Sequence, residues 1–269
     1  MASEDPEFSS DVLETFVQFL SKSSPTHVRG IAMQYLLGCT GTNEGMKFIG
    51  NNPTCLASVV ELTEDEEFEI SRNAYKSLVN LAAESDIAVR LAGLPNFSNF
   101  VLKLMSCCLS EGSVHAFNAS KVAANLSRWE ECSTVIGQCL AGEDRDLNMY
   151  KVVEVLSKAP EKLEYLASFL SNMSCQQETR KLILDKGRCI IQRLLPLIQS
   201  DLVIVRQGVV RTLRNCCFER GKYSKFCGGK PIAFIVWVCR GDFFHRVPNL
   251  SIWTYNLTEL DPKYYLFHM

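Results

Sequence analysis

Histidine is scarce in this chain. There are four, at 27, 115, 245 and 268, and they are scattered. A zinc site needs clustered Cys or His ligands, so this spacing argues against a metal centre. No C-x-x-C occurs among the twelve cysteines. Cys107–Cys108 and Cys216–Cys217 are adjacent pairs inside helical-looking stretches, which reads as reduced thiols packed like small apolar residues.

Signatures of catalysis are also missing. There is no G-x-S-x-G and no H-E-x-x-H. The segment "GTNEGMK" (41–47) lacks the spacing of a phosphate-binding loop, and "GGK" (228–230) has no strand before it. A Cys–His nucleophile pair stays open on sequence alone. The expectation is a protein that is not an enzyme and uses no cofactor.

Charge of one sign is lacking too. Lys and Arg number 28 against 30 Asp and Glu, a net −2, so no basic field favours nucleic acid. The longest apolar run, "PIAFIVWV" (231–238), is far shorter than a membrane span. The start "MASEDPEFSS" has neither the basic nor the apolar region of a secretory signal. A cytoplasmic protein without membrane contact is expected.

What is present is a repeat. "SLVNLAAES" (77–85), "VAANLSRWEE" (122–131), "FLSNMSCQQE" (169–178) and "TLRNCCFER" (212–220) each end a helical-looking segment with an asparagine. Asn80, Asn125, Asn172 and Asn215 are separated by 45, 47 and 43 residues. An earlier copy places Gly38 in the same slot, 42 residues before Asn80. Two of the slots fall in N-x-S triplets, at 125 and 172, which have no glycosylation role in a cytosolic chain.

Between the slots lie "SDIAVRLAG" (85–93), "ECSTVIGQC" (131–139) and "QETRKLILDKG" (177–187), and then "PNFSNFVLKLMSCCLS" (95–110), "NMYKVVEVLSK" (148–158) and "CIIQRLLPLIQ" (189–199). A short helix, a longer one and a longest one per period predict an all-α, armadillo/HEAT-like right-handed solenoid of about five three-helix units. Gly93 and Gly187 stand where helices stop. Residues 1–8 read as a disordered start, 9–226 as the solenoid, and 227–269 as an atypical tail with poor order over 240–269. Nine of the 43 tail residues are aromatic, against 17 of the 226 before it.

On a helical wheel, Tyr75, Leu78, Val79 and Ala82 share the apolar face of their helix. Arg72, Asn73, Lys76, Asn80 and Glu84 lie opposite. Third helices line the concave side of a stacked solenoid, so the asparagines predict a partner-binding groove. An Asn amide both donates and accepts and suits an extended backbone, or else it ties neighbouring helix ends. One turn before each slot stand Gln34, Lys76, Lys121, Ser168 and Arg211, with Arg128 and Arg214 nearby. The site set is therefore Asn80, Asn125, Asn172, Asn215, Lys76, Lys121, Arg211, Gln34 and Arg214. Its positive charge predicts an acidic protein partner.

The block "GRCIIQRLLPLIQSDLVIVRQGVVRTLRNCCFER" (187–220), with "YKSLVNLAA", "AANLSR" and "FLSNMS", resembles the HGH-type armadillo proteins of eukaryotes over about residues 10–225. The resemblance implies a cytosolic co-chaperone, an adaptor that helps translation elongation factor 2 fold and links it to the cytosolic chaperonin. After about Phe226 the sequence departs from that family. The alternative is an armadillo receptor of nuclear-transport type or a general interaction scaffold. The transport type pairs each Asn with a tryptophan one turn earlier, and none stands here.

Overall fold

The computed structural model describes residues 10–141, 148–185 and 187–217, with side chains from Glu14 onward. Expectations for residues 1–8 and 227–269 lie outside the described residues.

Every element among them is helical. The chain forms two compact units, 1–147 and 148–269. The first holds α1 (Ser10–Leu20), α2 (Thr26–Cys39), α3 (Asn43–Gly50), α4 (Pro53–Leu62), α5 (Phe68–Leu81), α6 (Ser85–Ala92), α7 (Phe97–Leu109), α8 (Ala116–Leu126) and α9 (Glu130–Leu140). The second holds α10 (Met149–Lys158), α11 (Tyr165–Met173), α12 (Gln177–Ile183), α13 (Ile190–Leu194), a 3₁₀ turn (Leu195–Gln199) and α14 (Val203–Cys216). No helix among the described residues is long and apolar enough to cross a membrane.

Local chemistry sets several starts. The Thr42 hydroxyl accepts from the Gly45 amide at 3.1 Å and opens α3. The Asn52 side chain accepts from Cys55 N at 2.9 Å, ahead of Pro53 at the first helical position. Asn148 caps α10 in the same way, on Lys151 N at 3.0 Å. Pro196 divides the segment read as one helix over 189–199. Its ring removes a backbone donor, and α13 gives way to the 3₁₀ turn. Gly93 ends α6 with φ −77, so its left-handed freedom is not used.

Helices recur in layers. In the first unit α5 packs between α2 and α8, and α6 between α3 and α9. In the second, α14 packs on α11 and α13 on α10. The expectation that each third helix is longest holds for α2 and α5 but not for α8, whose 11 residues are fewer than the 13 of α7. The turn before α8 carries Gly112 at φ 90 and delays that helix.

The core lies between the layers. Met33, Leu36, Leu56, Leu62, Leu78, Leu81 and Leu104 are buried in the first unit, and Phe169, Leu170, Met173 and Leu194 in the second. Cys55, Cys108, Cys132 and Cys216 are buried among them. Burial pushes the Cys55 and Cys132 thiols up to about 12, which leaves them protonated and unreactive. Gly208 is required by close approach. A Cβ there would sit 2.4 Å from the Ala167 carbonyl oxygen, so α14 rests on the α11 backbone.

Candidate functional site

The third helices of the two units are α2, α5 and α8, then α11 and α14, and the slot residues lie near their C-terminal ends. Asn80 is exposed, while Asn125, Asn172 and Asn215 are half-buried. Each amide with a described bond reaches back to the end of the preceding third helix. Asn80 Nδ2 donates to Thr40 Oγ1 at 2.8 Å. Asn125 Nδ2 donates to the Val79 carbonyl at 2.8 Å. Asn215 Nδ2 donates to Ser174 Oγ at 2.9 Å and to the Ser171 carbonyl at 3.3 Å.

The receiving hydroxyls explain one of the N-x-S triplets. Thr40 stands two residues after Gly38 and Ser174 two after Asn172. Each donates to its own helix end, Thr40 to Leu37 O at 2.7 Å and Ser174 to Ser171 O at 2.6 Å, and accepts the next asparagine on its lone pairs. Ser127, two after Asn125, caps its helix likewise on Ala124 O at 2.9 Å. Ala82 holds that place after Asn80 and has no hydroxyl. Asn125 turns to the Val79 carbonyl instead, and Trp129 Nε1 takes the Ala82 carbonyl at 2.9 Å.

Tying the stack uses one face of each amide. Asn80, Asn125 and Asn215 carry no hydrogen bond on Oδ1 among the described residues, and their oxygens are not sealed from solvent. An acceptor thus remains at each of these three slots.

The charged residues differ in freedom. Lys76 and Arg211 are exposed and make no ion pair among the described residues. Lys121 is half-buried with its ammonium over the Phe117 ring, 4.3 Å from the centroid. Arg214 is half-buried at the end of α14. Arg128 lies over Trp129 at 4.9 Å. Gln34 is exposed and lines a cleft of about 440 Å³ between α2 and α5, with His27, Ile31, Leu37, Arg72 and Asn73. Arg72 pairs there with Glu69. In the second unit Ser168, Asn172, Gln207 and Arg211 line a small hollow between α11 and α14.

Sequence reading missed the apolar part of this surface. Ile31 is 68% exposed and Tyr35 56%, both on α2, and Phe68 and Phe117 are exposed at the starts of α5 and α8. The signal was available in Ile31, a large aliphatic residue placed beside the buried Ala32–Met33 pair rather than in phase with it. It also missed His115, which stacks between Phe68 and Tyr75 with both centroids 5.2 Å away. Ser71 Oγ lies 3.0 Å from His115 Nε2. Desolvation lowers the pKa of this histidine.

Residues 63–238 match the family model described as a domain of unknown function, DUF383. The chain is 35% identical over 218 residues to the mouse (Mus musculus) HGH1 homolog, covering 79% of this chain and 55% of that one. It is 33% identical over 236 residues to the human (Homo sapiens) homolog, covering 84% and 59%. The chain therefore spans little more than half the length of the curated relatives it matches. Among solved structures, the designed armadillo repeat protein YIII(Dq)4CqI superposes with a TM-score of 0.67 at 19% identity, over 88% of this chain and 94% of that one. A second designed armadillo protein, YIII(Dq.V1)4CPAF in complex with the peptide (KR)4, gives 0.67 at 18% over 89% and 94%. At such identity these show the armadillo fold.

Proposed function

The chain belongs to the HGH1 family, and from that premise we propose that it is a non-enzymatic adaptor. It takes an extended, acidic segment of a protein partner on its third-helix faces. The observation that carries this reading is the pairing, at successive slots, of an available Asn oxygen with a cation one turn earlier. Asn80 with Lys76 and Asn215 with Arg211 are the clearest instances. The oxygens offer acceptors to a backbone N–H, and the cations select acidic side chains. Exposed Ile31 and Tyr35 supply apolar area at one end of the first unit's surface.

The partner proposed is translation elongation factor 2 as a folding client, handed on with the cytosolic chaperonin in the cytoplasm. This rests on the family resemblance carried by residues 187–220 and the Asn-helix segments. The designed neighbour bound to (KR)4 holds a basic peptide. Here Lys76, Lys121 and Arg211 disfavour such a ligand.

The test is a joint reversal, K76E/K121E/R211E, with binding to purified elongation factor 2 measured across a salt series. The variant should bind about tenfold more weakly or worse, with a flatter salt dependence. Circular dichroism checks that the Lys121 change leaves the helices intact. Unchanged affinity in a folded triple variant would sink the groove model. Tighter binding of basic localisation peptides by the native chain than of the elongation factor would favour the transport-type alternative.

A further inference from the structure

Arg29 and Arg206 both stand nine residues before a slot, and each is the fourth residue of a 14-residue third helix, α2 and α14. Each folds Nη1 back onto the turn before its helix. Arg29 donates to the Ser24 carbonyl at 2.6 Å, and Arg206 donates to the Ser200 carbonyl.

Their other edges differ. Arg29 Nε and Nη2 hold Asp65, in the turn before α5, at 2.6 and 3.3 Å. That pair ties the first third helix to the repeat after it. Arg206 Nε is buried and has no hydrogen-bond partner. A buried donor of a charged group is seldom left unmet, because its lost hydration is not repaid. The same flank of α14 is open elsewhere. Met33 on α2 is fully buried, while Val210 at the equivalent place on α14 is only half-buried, and Val203 is 50% exposed.

We propose that this flank is the docking surface for the chain's own segment 231–242, and that Asp242 supplies the carboxylate that Arg206 awaits. The sequence repeats what occurs at the first unit. Asp65 follows Arg29 by 36 residues, and Asp242 follows Arg206 by 36. In α4 the apolar run ends at Leu62, three residues before Asp65. "PIAFIVWV" ends at Val238, four residues before Asp242. The family match also runs past α14, to residue 238. The 52 residues after Cys217 exceed the 42 to 47 of one period. This inference stands apart from the groove reading, and it departs from the expectation of a wholly atypical tail.

A double-mutant cycle on the full chain tests it. R206Q and D242N should each lower the melting temperature by several degrees, and the double variant should fall no further than either. The exchanged pair R206D/D242R should recover part of the loss. Arg29 and Asp65, taken through the same cycle, show the size of a formed pair. Hydrogen exchange over 231–238 is the second readout, faster in D242N than in the native chain. An unchanged melting temperature in D242N, or additive losses in the double variant, overturns the proposal. So does coupling of Arg206 to Glu219 or Glu259 in place of Asp242. Loss of a bound partner in R206Q with no effect in D242N would assign the flank to another protein and overturn it as well.

Discussion

Asn125 Nδ2 donates to the carbonyl of Val79, 46 residues earlier in the chain, at 2.8 Å. One repeat's slot residue thereby fastens the end of the helix before it. Asn80 does the same through Thr40 and Asn215 through Ser174. The bond stabilises the repeat interface and also fixes which side of the amide faces outward.

Asn125→Ala removes this tie and leaves the Val79 carbonyl without its side-chain partner. The expected cost is about 1 kcal/mol, read as a melting temperature lower by about 2–4 °C. Asn125→Asp keeps the size but loses the donor, and should be at least as damaging because it sets an anion against a carbonyl oxygen. An Asp variant as stable as the native chain would show that the amide donor contributes nothing.

Two glycines should respond with opposite sign. At Gly208 an added Cβ meets the Ala167 carbonyl oxygen at 2.4 Å and its carbon at 2.5 Å, both backbone atoms that cannot step aside. Gly208→Ala should cost about 1–3 kcal/mol as α14 is pushed off α11. At Gly38 nothing lies within 4 Å of the added carbon. Gly38→Ala should stabilise by up to about 1 kcal/mol through helix propensity. Urea unfolding of both variants checks the pair.

His115 should make the first unit sensitive to acid. Ser71 donates its hydroxyl hydrogen to backbone carbonyls of its own helix, to Phe68 O at 3.1 Å and Glu67 O at 3.2 Å. Its oxygen therefore accepts from His115 Nε2–H. Nδ1 is buried with no partner, and the ring lies between Phe68 and Tyr75. Protonation would put a charge and an unmet donor in that place, which is why the pKa falls below its ordinary 6.5. A group whose folded pKa is depressed contributes its stability above 6.5 and loses it as pH falls through the folded value. Stability of the native chain should drop over that interval, and His115→Phe should flatten the drop. Equal acid sensitivity in both proteins would place the titration elsewhere.

Much of the fold was legible because the repeat is written in chemistry that acts locally. Asparagine near a helix end, apolar residues in helical phase and Asn52 or Asn148 at a helix start each act within one or two turns. The lengths of α8 and α11 and the break at Pro196 were not read off, because turn geometry and a single ring decide them. On the candidate site, Asn80 and Lys76 were placed on the open side by the wheel alone. Lys121 was taken as an open cation, whereas its ammonium lies over Phe117, a neighbour one turn away whose exposure periodicity does not specify.

By itself the sequence determined the period, the helical class and the slot residues, since these follow from spacing and side-chain type within a repeat. Only the tertiary structure decided what each slot does. Whether an amide meets Thr40, Ser174 or a bare carbonyl depends on the residue two places after the previous slot, about one repeat earlier. Whether Arg29 is satisfied and Arg206 is not depends on a carboxylate 36 residues onward. Such pairs are set by packing between repeats, where a hydrogen bond needs atoms within about 3 Å, and no spacing rule within one helix can supply them.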